Sequence, residues 1–372
     1  MTPRERALCI LTGKQPDSVP WFGDLDYFAT ALIGRGLKPA NFKASDAYIN
    51  WHRDLGVGYY LQGYFPFQSI IENCRVNEWK DGHRRYKEVE TPRGTLRECW
   101  QWLPESFSEA PTEYLIKSEA DLPAYRFMVE NTRYEPDYAF AHTRRRQVGD
   151  MGFVLCYLPK SPLMHLVALD AGIETVVELY SDATDEFEQV IHSLRMSHDQ
   201  AAQIALESPA EILMIPENLS SECIGPKLFE AHMRDYETVW AQRIAQAGKY
   251  SCIHLDGTLK GLLREVCSTG LTFIEALTPA PVGDLAIEEW AAWSGNSTTI
   301  LWGGIPGGYF TDIVSDAEFD RHVKNVLEVM RFEPRYVLGV ADQVPPDGLE
   351  RRLRRVGQLV EEYGCYSTAL IK

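Results

Sequence analysis

The sequence has no Cys-x-x-Cys pair: its eight cysteines, Cys9, Cys74, Cys99, Cys156, Cys223, Cys252, Cys267 and Cys365, are scattered along 372 residues. That spacing excludes a zinc ribbon and a compact disulfide scaffold, and it suits a reducing compartment in which thiols serve as small buried hydrophobes. Long apolar runs are also missing. Stretches such as Phe153 to Leu158 fall far short of the ~20 residues that span a bilayer. Met1-Thr2-Pro3-Arg4 opens a helix rather than an export signal, so a cytoplasmic protein is expected. Positive charge is scarce, with 37 Lys and Arg against 53 Asp and Glu and a net charge of -16. A field of that sign opposes phosphate binding, which excludes nucleic acid as a partner. No G-x-G-x-x-G follows any apolar run, which weighs against a dinucleotide-binding sheet.

What is present is ordinary globular composition, 45% hydrophobic and 24% charged, enough to build a sizeable core. Thr2-Pro3-Arg4-Glu5 combines an N-cap, a proline at the first helical position and an acid at the third, and so starts a helix. Eight apolar runs near residues 20, 59, 155, 213, 253, 273, 300 and 337 alternate with helical segments. Short strands without polar alternation are covered on both faces, and eight of them predict an α/β fold, a single (β/α)8 TIM barrel occupying residues 1–372. From Cys74 to Trp102 the pattern changes to alternation broken at Asp81-Gly82 and Pro92-Arg93-Gly94, which predicts an antiparallel β-meander inserted between barrel elements.

In such a barrel the chemistry lies at the carboxyl ends of the strands. Polar residues there are Asp24 and Asp26, Gln62 and Tyr64, Tyr157 and Lys160, Glu217 and Asn218, His254 and Asp256, Glu275, Trp302 and Asp342. Glu217, His254 and Glu275 end three consecutive strands, and an imidazole with two carboxylates is a plausible zinc shell that leaves one position open. Asp256 and Asp342 are competitors or orienting groups. The same residues also suit metal-free acid and base work or contacts to substrate hydroxyls. Arg144-Arg145-Arg146 reads as a solvated helix face rather than an anion clamp. Gly303-Gly304-Ile305-Pro306-Gly307-Gly308 reads as a tight strand-to-helix loop rather than a phosphate cradle, since no lysine or serine is placed after it as in a P-loop.

The chain resembles the uroporphyrinogen decarboxylase superfamily, and within it the cobalamin-linked methyltransferase branch. The resemblance is carried by Leu11-Thr12-Gly13-Lys14-Gln15-Pro16-Asp17-Ser18-Val19-Pro20, by Glu217-Asn218-Leu219-Ser220-Ser221, by His254-Leu255-Asp256-Gly257, by Ile274-Glu275-Ala276-Leu277-Thr278-Pro279 and by Gly339-Val340-Ala341-Asp342-Gln343. The decarboxylases carry an arginine-rich motif near the amino terminus for the substrate's carboxylates. Here Trp21-Phe22-Gly23-Asp24-Leu25-Asp26-Tyr27 follows Val19-Pro20, an acidic entrance ill suited to a polyanion. Thiol-methylating relatives bind zinc through a His-x-Cys pair and a later Cys; this chain has Asp256 and Asp342 instead.

The resemblance therefore implies a zinc-dependent methyltransferase that moves a methyl group from a small methoxylated, aromatic compound to a corrinoid protein. Glu217, His254 and Glu275 would hold the metal, and Asp24, Asp26, Asp256 and Asp342 would be the further catalytic carboxylates. Tyr27, Tyr64, Tyr157, Asn218 and Trp302 would bind the substrate. No Asp-x-His-x-x-Gly segment occurs, so cobalamin would arrive on the partner protein, and the family implies a homodimer. Two alternatives stay open: a metal-free decarboxylase or lyase of the same superfamily with Asp24 or Asp26 as the acid, and a non-catalytic barrel that binds a small molecule.

Overall fold

A computed structural model describes residues 1–60, 63–295 and 297–366. Gln62, named above at a strand end, lies outside the described residues. The strands that organise the molecule are β1 (Trp21–Phe22), β2 (Tyr59–Tyr60), β3 (Leu155–Tyr157), β4 (Ile212–Leu219), β5 (Tyr250–Leu255), β6 (Phe273–Leu277), β7 (Ile300–Pro306) and β8 (Tyr336–Ala341). Seven of them form one curled parallel sheet in the order β1-β8-β7-β6-β5-β4-β3, with helices between successive strands. The fold is α/β and TIM-like. β2 joins differently: Gly58 bridges Phe22 in parallel, and Tyr59 and Tyr60 pair with Gly152 and Phe153, just ahead of β3. Hydrogen-bonded neighbours thus run from β1 through β2 toward the opposite edge of the sheet.

The interior of the sheet is a layer of large side chains, among them Phe22, Tyr60, Phe153, Met214, Phe273 and Trp302. Such burial removes each ring from water at about 25 cal/mol per Å2 of apolar surface. A larger apolar cluster, including Trp240, Phe187 and Phe229, lies between the sheet and its helices. The pairing of β2 depends on Gly152, because a Cβ there would stand 1.8 Å from the Tyr59 carbonyl oxygen. Gly152→Ala is therefore expected to lower stability by about 2 kcal/mol, the scale of forced overpacking, measurable by urea denaturation.

The amino-terminal helix, Pro3–Leu11, has the expected capping box between Thr2 and Glu5. Between β2 and β3 the chain forms a four-stranded antiparallel sheet from Arg75 to Glu113, longer than the alternating segment 74–102 indicated. The added strand, Ser108–Glu113, carries proline and glutamates, which have weak strand propensity. A further antiparallel pair, Phe67–Ile71 with Thr132–Pro136, occupies residues whose pattern did not mark them as strands. Gly303 and Gly304 lie inside β7 rather than in a loop. The reason is close approach: a Cβ on Gly303 would meet the Leu277 carbonyl oxygen at 2.3 Å. Arg144 departs from the solvated-face reading, being fully buried between the rings of Tyr48, Tyr59 and Phe140 while donating to the Lys43 carbonyl. Only Arg145 and Arg146 are exposed.

Candidate functional site

The centre of the site follows from strand register. His254 on β5 lies directly opposite Glu275 on β6, and residues paired across parallel strands point to the same face. His254 Nδ1 is 2.7 Å from Glu275 Oε2, and the Tyr60 hydroxyl donates to Glu275 Oε1 at 2.9 Å. Both Glu275 and Tyr60 are buried. Burial alone would push the imidazole down, but the charge of Glu275 and its hydrogen bond, joined by Asp256 and Asp342, outweigh it and raise His254 to about 9. The other ring nitrogen, Nε2, lies 3.7 Å from Asp342 Oδ1 at the open rim. His254 is thus clamped on one side and available on the other, as a histidine held by a carboxylate behind it would be in a metal site.

Two irregularities shape this end of the sheet. The register between β6 and β7 shifts between Ile274 and Leu277, and that between β4 and β5 shifts between Ile215 and Leu219. In the shifted segments Ala276 and Asn218 adopt left-handed backbone, with φ of 68° and 52°, and Asp342 does so at 69°. Each lies within one residue of a strand-end acid or is that acid. Bulges and strained residues beside a site re-aim side chains that a regular strand would turn elsewhere.

Glu217 belongs to a separate niche. Its carboxylate accepts from the Ser161 backbone N–H at 2.7 Å and from the Ser161 hydroxyl at 3.1 Å. Burial pushes it up to about 7, against the opposing effects of Lys160 and Ser161. Lys160 Nζ donates to the Pro216 carbonyl and, at 3.3 Å, to Asn218 Oδ1. Glu217, His254 and Glu275 therefore do not assemble as one ligand group: Glu217 is satisfied by Ser161, and Glu275 holds His254 and Tyr60. Among the described residues, no three His, Cys, Asp or Glu side chains are gathered closely enough to hold a metal ion.

Behind Glu217 lies Glu237, fully buried, with neither carboxyl oxygen hydrogen-bonded. Burial first, then the charge of Glu217, raises its pKa well above the ordinary carboxyl range. A carboxyl raised in the folded state contributes stability at low pH that is lost as pH rises above its unfolded value toward the folded one. Glu237→Gln is therefore expected to stabilise the protein by about 1–2 kcal/mol at about pH 8 and by less at about pH 5, as read by urea denaturation at both values.

Asp24 is buried, with Oδ1 accepting from the Asp26 backbone N–H at 2.8 Å and Oδ2 without a partner. Burial and the neighbouring charge of Asp26 raise its pKa well above the usual carboxylate range. Asp26 pairs with Lys43 at 2.8 Å. Tyr157 is held in the same acidic field, its phenol raised by burial and then by Asp24.

The remaining aromatics are engaged elsewhere. The Tyr27 hydroxyl donates to the Ser106 carbonyl, and that of Tyr64 to the Asp137 carbonyl while its ring packs on Phe140. Trp302 is buried in the inner layer, 4.5 Å from the Tyr60 ring, so it supports Tyr60 from within. Sequence reasoning missed the roles of Tyr60, Ser161 and Lys43. For Tyr60 a signal existed, a hydroxyl on a strand whose side chains face inward.

The uroporphyrinogen decarboxylase (URO-D) family matches residues 159–363, more than half of the chain. No curated protein sequence matches. Among solved structures, a methyltransferase from Methanosarcina mazei superposes with a TM-score of 0.62 at 13% identity, covering 98% of this chain and 99% of its own. At that identity the likeness speaks for the fold.

Proposed function

The chain belongs to the uroporphyrinogen decarboxylase family, and from that premise we propose that it is a methyltransferase passing a methyl group from a small methoxylated, aromatic compound to a corrinoid carried by a partner protein. The observation that carries this reading is the His254 imidazole, fixed through Nδ1 by Glu275 and open through Nε2 toward Asp342. The donor types fit zinc, and the N–O separation of 3.7 Å is one that two ligands ~2.0–2.2 Å from a shared ion can have. No three donors are gathered among the described residues, so a zinc ion here would be held by His254 Nε2 and Asp342, with Asp256 moving in as the third donor, in place of the set Glu217, His254 and Glu275 that the sequence suggested. Bound there, zinc would supply a Lewis acid that polarises the ether oxygen and stabilises a departing phenolate.

The protein's own groups have distinct tasks in this reading. Glu275 fixes the imidazole's orientation and raises its basicity, and Tyr60 holds Glu275 in place. Asp24, kept neutral by burial, is a proton donor facing the same interior. We read residues 1–372 as one eight-stranded barrel domain that works as a homodimer.

Metal analysis tests the assignment. Purified protein should carry one zinc per chain, lost in His254→Ala and in Asp342→Ala and retained in Glu217→Gln. Zinc retained in His254→Ala, or lost only in Glu217→Gln, would contradict it. A second reading rests on Asp24: a buried neutral carboxylic acid suits a metal-free lyase that protonates a carbanion.

A further inference from the structure

A cavity of about 290 Å3 lies outside the sheet between the meander, the helix Leu122–Glu130 and the long helix Thr184–Glu207. Its volume is near the lower end for small-molecule sites. Leu115, Met128, Leu169 and Leu194 give it apolar walls, and Trp100 and Tyr134 add aromatic faces. Its polar groups are unevenly satisfied. Asp170, at the end of the π-helical turn Leu166–Asp170, accepts from the Tyr125 hydroxyl at 2.5 Å and lies 2.9 Å from His165 Nε2. Glu98 faces Arg85 at 3.8 Å, and Arg85 is bound to Glu109 at 3.0 Å. His198 directs Nδ1 to the Lys160 carbonyl at 2.9 Å and stays neutral, since burial lowers it to about 3.

Lys87 is the exception. Half-buried on the meander strand Arg84–Thr91, it lines the cavity. It feels the charges of Glu98 and Asp170 at a distance but forms no hydrogen bond or ion pair among the described residues. An ammonium facing a partly apolar cavity without a direct counter-ion attracts an anion, and the walls favour one with an apolar body. We propose that this cavity binds a small organic carboxylate whose ring or hydrocarbon body packs against Trp100 and Met128 and whose carboxylate pairs with Lys87. The site is separate from the His254 centre, and its occupancy is independent of the methyltransferase reading.

The test is calorimetric titration of the full-length protein with benzoate, beside benzyl alcohol as a neutral match. Benzoate is expected to bind saturably at one site, about tenfold or more tighter than the alcohol. Lys87→Gln should weaken benzoate by a similar factor, Trp100→Ala should weaken both ligands, and His254→Ala should leave binding unchanged. Absence of saturable benzoate binding overturns the proposal. So does wild-type affinity in Lys87→Gln, or loss of binding in His254→Ala, which would put the anion at the other site.

Discussion

Glu275→Gln is expected to cost about 3 kcal/mol of stability, the scale for removing one partner of a buried ion pair, and to lower the His254 pKa from about 9 to below its ordinary value. Two facts give the sign. Burial pushes the imidazole down, and the charge and hydrogen bond of Glu275 are the largest effects pushing it up. With glutamine only Asp256 and Asp342 remain to oppose burial. In the native protein the raised His254 contributes stability that is fully present below the unfolded value and is lost as pH rises from there through about 9. The stability gap between wild type and variant should therefore narrow across that window. Imidazole proton NMR on metal-free protein reads the pKa, and urea denaturation at the two ends of the window reads the gap. An unshifted His254 in the variant would mean that Glu275 does not govern it.

Arg352→Ala should be of similar size, about 3 kcal/mol, the scale of leaving buried acceptors without a donor, at a place remote from the site's chemistry. The side chain is 3% exposed and sits on the final helix, Glu350–Tyr363. Its guanidinium donates to the carbonyls of Tyr309, Thr311 and Val314 and to Asp316 Oδ1. One cation thus satisfies the segment that links β7 to the helix Asp316–Met330 and ties it to the end of the chain. Truncation leaves those carbonyls without their donor and removes the packing of the guanidinium over Phe319. Thermal unfolding is expected to shift down with little change in metal content, which separates this residue from those around His254.

These two residues mark how far a sequence alone reaches. His254 and Glu275 are legible because each follows an apolar run, and the curled parallel sheet brings consecutive strand ends together. Their direct pairing is set by the unbroken register between β5 and β6, which no composition cue reports, and neither does the left-handed Ala276 beside Glu275. Glu217 ends a strand just as clearly, yet a bulge at Asn218 and the Ser161 donors turn it to a different neighbour. Tyr27 and Tyr64 lie past strand ends as expected, but backbone carbonyls 79 and 73 residues away capture their hydroxyls. Arg144 sits among polar neighbours in sequence and is nonetheless buried, because the rings of Tyr48 and Tyr59 from distant segments enclose it together with Phe140, one turn earlier on its own helix. Local pattern reports which face of a strand is apolar; which long-range partner claims a polar tip depends on packing that no single segment encodes.

The most direct test of the central claim is methyl transfer from guaiacol to free cob(I)alamin, followed by the change in the corrinoid's visible spectrum, with zinc-loaded protein at fixed concentration. Formation of methylcobalamin and catechol in equal amounts, abolished in His254→Ala, is the predicted result. Zinc-loaded, folded protein that forms no methylcobalamin from guaiacol or related methoxylated aromatics would contradict it.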